Sequence, residues 1–270
     1  MPSPGESRAD VPACALVVHV VAHRGASLDV AEHTLAAYER AVELGADALE
    51  CDVRLTADGV LVCVHDRRVD RTSNGRGPVS TLELAELAEL DFASWRGGDG
   101  SAGSVLTLDA LLGYVHDCGR RVEVAIETKH PTRYAGLVER RLVETLDRHG
   151  WAHPRLGNRL PVRVMSFSWL SLRRMRALAP SITSVYLMDR VPLRMRDGTL
   201  PGHIGIAGPS MAILRAHPKY VERVHRTGAA VHVWTVDEPS DVDLCLDLGV
   251  DAIITNRPAE VLARAGARFG

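Results

Sequence analysis

Four short segments of the chain concentrate side chains able to do chemistry: His23 and Arg24, Glu50 and Asp52, His65 and Asp66, and Glu127 and Lys129. Glu50 and Asp52 are two residues apart, as are Glu127 and Lys129, and in an extended strand that spacing turns both members of a pair to one face. If the strands adjoin, three carboxylates meet in one partly desolvated place. Charges so placed need ion-pair partners or a bound cation, because an unpaired buried carboxylate is costly. Arg24 and Lys129 are the candidate partners, while an all-oxygen ligand set favours magnesium or calcium over zinc. His23 and His65 stand beside these groups, and imidazole titrates near neutral pH, which suits proton transfer. The structural alternative is a pair of core histidines satisfied by hydrogen bonds.

These residues need elements to hold them. Apolar, β-branched runs at 17–22, 48–53, 122–127, 162–167, 183–188, 203–207, 231–236 and 252–255 read as buried strands. Helical periodicity appears at 34–44, 107–117, 134–149, 169–178, 213–226, 240–248 and 259–265, and several of these stretches end on glycine. Eight strands with intervening helices in 270 residues favour a closed TIM-like (β/α)8 barrel. An open doubly wound sheet is the structural alternative. Between 188 and 203 the helix is poorly marked, and Pro192, Gly198 and Pro201 predict an irregular connection. Residues 61–64 follow the turn Thr56-Ala57-Asp58-Gly59 too closely for a crossover, so they should pair antiparallel with the second strand. Residues 67–103 then read as an insertion in one domain spanning 1–270.

Composition narrows the class. Hydrophobic residues make up 46% and charged residues 24%, which is ordinary globular composition. The 32 Lys and Arg against 34 Asp and Glu give a formal charge of -2, so no global field would hold the chain on a nucleic acid. Five scattered cysteines without a CxxC pair argue against a disulfide framework or zinc knuckle and for a cytoplasmic setting. The apolar run 11–22 is too short to span a membrane and lacks a basic leader, and reads as the first buried strand. His116, His149, His153, His217 and His225 fall in helical or loop stretches and are expected at the surface without acidic partners.

The motifs HRG at 23–25, ECDVRLTADG at 50–59 and VCVHD at 62–66 resemble the opening of the glycerophosphodiester phosphodiesterase family. AIETK at 125–129, MSFSW at 165–169, HVWTVD at 232–237 and GVDAIITNRP at 249–258 are similar to its later strands in the same order. The resemblance covers residues 20–258. It implies a TIM-like barrel with a small insertion, and hydrolysis of a small-molecule glycerophosphodiester to sn-glycerol 3-phosphate and an alcohol. It also implies a divalent metal, Mg2+ or Ca2+, on Glu50, Asp52 and Glu127, with His23 and His65 as the acid/base pair. Arg24 and Lys129 match the phosphate contacts, and Trp234 matches an aromatic position near the substrate. Phe167, at a predicted strand end, is a further candidate for the mouth.

One segment departs from the family pattern: its proline and asparagine are here Ala31 and His33. Glu32 is retained, either as another metal-side carboxylate or to orient Arg24. His33 is expected to cap the first helix. Two other functions use the same residues: a lysophospholipase D or sphingolipid-type phosphodiesterase on the same barrel, and a non-catalytic module for phosphorylated ligands. No nucleic-acid partner and no stable membrane insertion are expected. The headgroup alcohol, the resting metal and the oligomeric state stay open at this level.

Overall fold

The computed structural model describes residues 18–97, 103–153, 160–202 and 204–269. Eight parallel strands close on themselves: β1 His19–His23, β2 Ala48–Leu55, β4 Glu123–Thr128, β5 Val162–Ser166, β6 Thr183–Met188, β7 Ile206–Pro209, β8 Ala230–Val233 and β9 Ala252–Thr255. Closure is explicit, since β1 pairs with β2 on one side and with β9 on the other. The expected (β/α)8 barrel is therefore the observed fold. The short β3, Leu61–Cys63, lies antiparallel on β2 with Val53 opposite Cys63, as the tight turn predicted.

Helices cover the outside: α1 Leu35–Glu43, α2 Leu84–Ala88, α3 Leu108–Asp117, α4 Leu137–Arg148, α5 Trp169–Leu178, α6 Met211–Ala216, α7 Tyr220–Arg226, α8 Pro239–Leu248 and α9 Pro258–Phe269. Their starts follow from local chemistry. Thr34, Thr107 and Ser168 each accept a hydrogen bond from a backbone N–H of the first turn. Between β6 and β7 the described residues make a short 3-10 turn, Leu193–Met195, matching the expected irregular connection.

Some boundaries differ from expectation. The helix predicted at 213–226 is two helices, because Pro218 lacks an N–H and pushes His217 out of helical geometry, to φ -141° and ψ 64°. The strand predicted at 203–207 begins only at Ile206, and His203 lies outside the described residues. The strand predicted at 231–236 stops at Val233, and Trp234 keeps a single isolated bridge to Ser210. Of the apolar run 11–22, residues up to 17 also lie outside the described residues. His149 and His225 do have acids: Asp109 at 3.3 Å and Asp251 at 2.8 Å.

The barrel interior is layered. Its middle is apolar, with Val21, Ala48, Ala125, Met165, Val185 and Ile254 packed together. Below it, at the N-terminal ends of the strands, Arg163 and Glu123 pair at 2.6 Å. Above it lies the polar mouth. The chain between β3 and α3 builds a small satellite core, in which Val69, Val79, Leu87 and Phe92 pack on Val62 and Val64. Among the described residues no helix is long and apolar enough to cross a membrane.

Candidate active site

Strand register brings the acids together. His23 of β1 stands opposite Glu50 of β2, and Asp52 of β2 opposite Glu127 of β4. Alternation then points Glu50, Asp52 and Glu127 into the mouth, where one oxygen from each lies within 4.8 Å of the others. All three are buried. A cavity of about 280 Å³ opens above them, lined by His23, Arg24, His65, Lys129, Phe167 and Trp234 among others. Every predicted site residue except Glu32 lines this cavity or belongs to the carboxylate triad.

The turn after β1 explains its HRG sequence. Arg24 adopts φ 58°, which lets its N–H reach the Glu50 carboxylate at 3.0 Å. Gly25 follows at φ 85°, where a side chain would place Cβ 2.6 Å from the Ala37 carbonyl carbon. Close packing of this turn on α1 thus requires glycine.

Charge at the mouth is unevenly met. Lys129 Nζ lies 2.8 Å from Glu127 Oε1 and 3.2 Å from Asp52 Oδ1. Arg24 Nε is 3.1 Å from Asp52 Oδ2 but is buried without a hydrogen bond. Burial pushes Asp52 up, yet the hydrogen bond from His33 and the charges of Lys129 and Arg24 outweigh it and hold this carboxyl well below its ordinary value. Its neighbours go the other way. Burial and then the charge of Asp52 raise Glu50 well above the carboxylate range and Glu127 to about 8. Two cations do not satisfy three carboxylates here, so the triad is a ready site for a divalent cation with oxygen ligands.

Both histidines are held in one tautomer. Asn256 Nδ2 donates to Asp237 Oδ2, so its Oδ1 faces His23 and accepts from Nδ1 at 2.7 Å. Ser27 Oγ donates to the same oxygen. His65 Nδ1 lies 2.8 Å from Asp66 Oδ1, which can only accept. Each ring therefore carries its proton on Nδ1 and leaves Nε2 for chemistry. Burial, then the charge of Arg24, lowers His23 to about 4, so it is neutral at neutral pH. Burial lowers His65 as well.

Glu32 sits outside the triad and orients cations instead. Its carboxylate accepts from Arg24 Nη1 at 2.9 Å and from both terminal nitrogens of Arg71 at 2.8 Å. Arg71 also donates to Asp66, linking the partner of His65 to the partner of Arg24. These bonds, against the opposing effect of burial, hold Glu32 at about 2. The expectation that His33 caps α1 is corrected, because Thr34 is the cap. His33, at φ 60°, turns its ring inward, with Nε2 3.0 Å from Asp52 Oδ2 and Nδ1 2.8 Å from Tyr38 Oη. Sequence reasoning also missed Asn256, Asp237 and Arg71. Asn256 and Asp237 fall within late family-like runs, which was the available signal.

The other half of the mouth is apolar. Phe167 meets Trp234 edge to face, ring centroids 5.2 Å apart at 86°, and Trp234 Nε1 donates to Gly208 O at 2.7 Å.

Comparison with known proteins agrees with this geometry. Residues 23–260 match the model of the glycerophosphoryl diester phosphodiesterase family. A protein of Mycobacterium tuberculosis named "Probable glycerophosphodiester phosphodiesterase 1" is 48% identical over 251 residues, covering 90% of this chain and 91% of that protein. A Bacillus subtilis glycerophosphodiester phosphodiesterase is 35% identical, covering 88% of this chain and 83% of that protein. The solved structure of an Oleispira antarctica phosphodiesterase, in complex with the product sn-glycerol-3-phosphate, superposes with a TM-score of 0.82 at 26% identity, covering 93% of this chain and 97% of that one. The chain belongs to the glycerophosphoryl diester phosphodiesterase family.

Proposed function

We propose that this chain hydrolyses glycerophosphodiesters to sn-glycerol 3-phosphate and an alcohol, with His23 and His65 moving the protons. The carrying observation is the pair of imidazoles, each with Nδ1 tied to an acceptor and Nε2 left for the cavity, beside an under-neutralised carboxylate triad. Glu50, Asp52 and Glu127 would hold Mg2+ or Ca2+, which supplies charge stabilisation to the phosphoryl oxygens when bound. Arg24 and Lys129 bind the phosphate and meet the charge that grows on it during reaction. The buried, unbonded Nε of Arg24 is a donor available for that purpose.

Burial keeps His23 neutral, which makes it the base, while His65, a third exposed and backed by Asp66, is the better proton donor. A glycerophosphodiester carries a hydroxyl next to its ester. Attack by that hydroxyl on phosphorus, its proton passing to His23, forms a cyclic phosphate as the P–O bond to the alcohol breaks and His65 protonates the departing oxygen; water then opens the ring with the histidine roles reversed. A cytoplasmic setting belongs to the same reading, supported by the scattered cysteines. So does the treatment of 67–103 as an insertion in one barrel domain, from which Arg71 reaches back to the site.

The test is incubation with a panel of glycerophosphodiesters and lysophospholipids, with and without Mg2+ or Ca2+, followed by product identification. Metal-dependent release of sn-glycerol 3-phosphate from soluble diesters is expected. Turnover of lysophospholipids alone would select the lipid-headgroup alternative, and full turnover in chelated protein would remove the metal.

A further inference from the structure

A second cavity, of about 520 Å³, lies beside the catalytic one under the connection from β6 to β7. Arg190, Arg196, His217 and Arg223 line it, with Ile213 and Tyr220 giving it an apolar wall. Asp189 is the one carboxylate among its lining residues and also lines the catalytic cavity, so the two cavities share a side. Arg223 spends one N–H on the Arg196 carbonyl. The guanidinium groups of Arg190, Arg194 and Arg196 have no acid within ion-pair distance among the described residues.

Between these arginines the chain presents Leu193, 78% exposed, more than any other large apolar side chain among the described residues. It rides on the 3-10 turn Leu193–Met195, which buried Met195 pins to the barrel. The placement is not scattered. Of the seven exposed large apolar side chains among the described residues, Leu28, Leu35, Phe167, Leu170 and Leu193 follow C-terminal ends of the parallel strands, on the face that holds the mouth, Trp95 lies under Arg71, and Leu178 lies at the far end of α5. Unpaired cations around an exposed leucine are the combination that seats a protein on an anionic lipid surface. The charges meet the headgroups, and the apolar side chain enters the acyl boundary. The basic cavity offers a place for a phosphate headgroup, and its apolar wall suits the glycerol and first methylenes behind it.

We propose that the Arg190–Arg196 cavity binds the headgroup of an anionic phospholipid and, with Leu193, docks the mouth face on a membrane surface. The docking does not depend on which diester the catalytic site cleaves.

The test is co-sedimentation of the full chain with phosphatidylcholine vesicles, with and without phosphatidylglycerol. Binding is expected only to the anionic vesicles. Arg190→Ala combined with Arg196→Ala should weaken it roughly 30-fold, at about fivefold for each cation lost near the surface. Leu193→Ala should weaken it about tenfold through lost apolar burial. Both variants should unfold at the parent temperature and turn over a soluble glycerophosphodiester at the parent rate, because the side chains are exposed and outside the catalytic cavity. Equal binding to both vesicle types, no binding, or unchanged binding by the variants overturns the proposal. Calorimetry with inorganic phosphate covers the free-anion case: phosphate binding lost in the double variant, with no vesicle binding by the parent, also overturns it.

Discussion

The barrel buries charge at both of its ends, and it treats the two ends differently. At the N-terminal end Glu123 meets Arg163 at 2.6 Å, with side chains 12% and 6% exposed. At the C-terminal end Glu50, Asp52 and Glu127 share Arg24 and Lys129, and Arg24 is also engaged by Glu32. The lower pair sets one charge of each sign against the other. The upper set leaves two carboxyls raised by burial and by each other, and it abuts two imidazoles with a free nitrogen. Buried charge alone does not mark a functional site; an imbalance that a ligand would correct, beside groups poised for proton transfer, does.

Removing that imbalance should have the largest effect. Asp52→Asn or Glu127→Gln should take turnover to background and abolish measurable Mg2+ or Ca2+ binding by calorimetry, while thermal unfolding remains cooperative. Metal affinity should also depend on pH with a definite sign. Glu127 must ionise to act as a ligand, and its value stands at about 8 against an ordinary 4.5. Affinity should therefore rise by about tenfold per pH unit up to about 8 and then level off, with proton release on binding. Without metal the sign for stability is opposite. The raised value favours the folded form fully below the unfolded value, and this contribution is lost as pH rises toward about 8. A pH-independent metal affinity would contradict the assignment of Glu127.

Next in size are the histidines. His23→Ala and His65→Ala should each lower kcat by about 10² to 10⁴, the range for a positioned acid or base, with a smaller change in substrate binding. Near-parent turnover in either variant would return that ring to a structural role.

The lower pair should respond in stability and not in rate. Arg163→Met leaves Glu123 without its cation, and denaturant unfolding should show a loss of about 3–5 kcal/mol. Activity per folded molecule should stay at the parent value, since the apolar layer of Val21, Ala125 and Met165 separates this end from the mouth. A large fall in kcat at unchanged stability would erase the distinction between the ends.

His33 offers a finer probe of the upper end. Its ring donates to Asp52 from a buried position and also contacts Tyr38, which in turn bonds the Glu50 carbonyl. His33→Ala should reduce metal affinity and turnover by about 10 to 100-fold, as for groups that orient a metal ligand. His33→Asn, which keeps a donor, should recover part of the loss. Equal losses in both variants would mean that the imidazole matters for packing alone.

The strands and the acids were legible because local rules govern them. A strand buried on both faces reads as an apolar run, and Glu50, Asp52 and Glu127 interrupt such runs at period two. Pro218 was passed over in reading one helix across 213–226, although a proline there breaks it in two. The Asp237–Asn256–His23 relay was not legible, since His23 and Asn256 are 233 residues apart and meet only because closure sets β9 beside β1. His33 misled for a related reason. Its neighbour Thr34 takes the cap, and a left-handed turn aims the ring at Asp52, a partner set by tertiary packing. Arg71 was hidden because an arginine in a Gly- and Ser-rich stretch has no local signal for a partner 39 residues away.

The smallest effect concerns the apolar side of the mouth, where no charge is at stake. On the proposed reading the cationic side, Arg24 and Lys129, takes the phosphate, and the alcohol of the diester faces Phe167, Trp234, Met165 and Leu187, which line the same cavity. Trp234 is fixed by its bond to Gly208, while Phe167 is 39% exposed and leans on it edge to face. Phe167→Ala removes one aromatic contact worth about 0.5–1.5 kcal/mol, or roughly 2 to 10-fold. Because the alcohol touches this wall in both ground state and transition state, the loss should fall on KM and leave kcat unchanged. It should also grow with the apolar surface of the alcohol across a series of diesters. A drop in kcat that is the same for every alcohol would place Phe167 with the charged half of the mouth, and would show that the two sides do not divide the substrate between them.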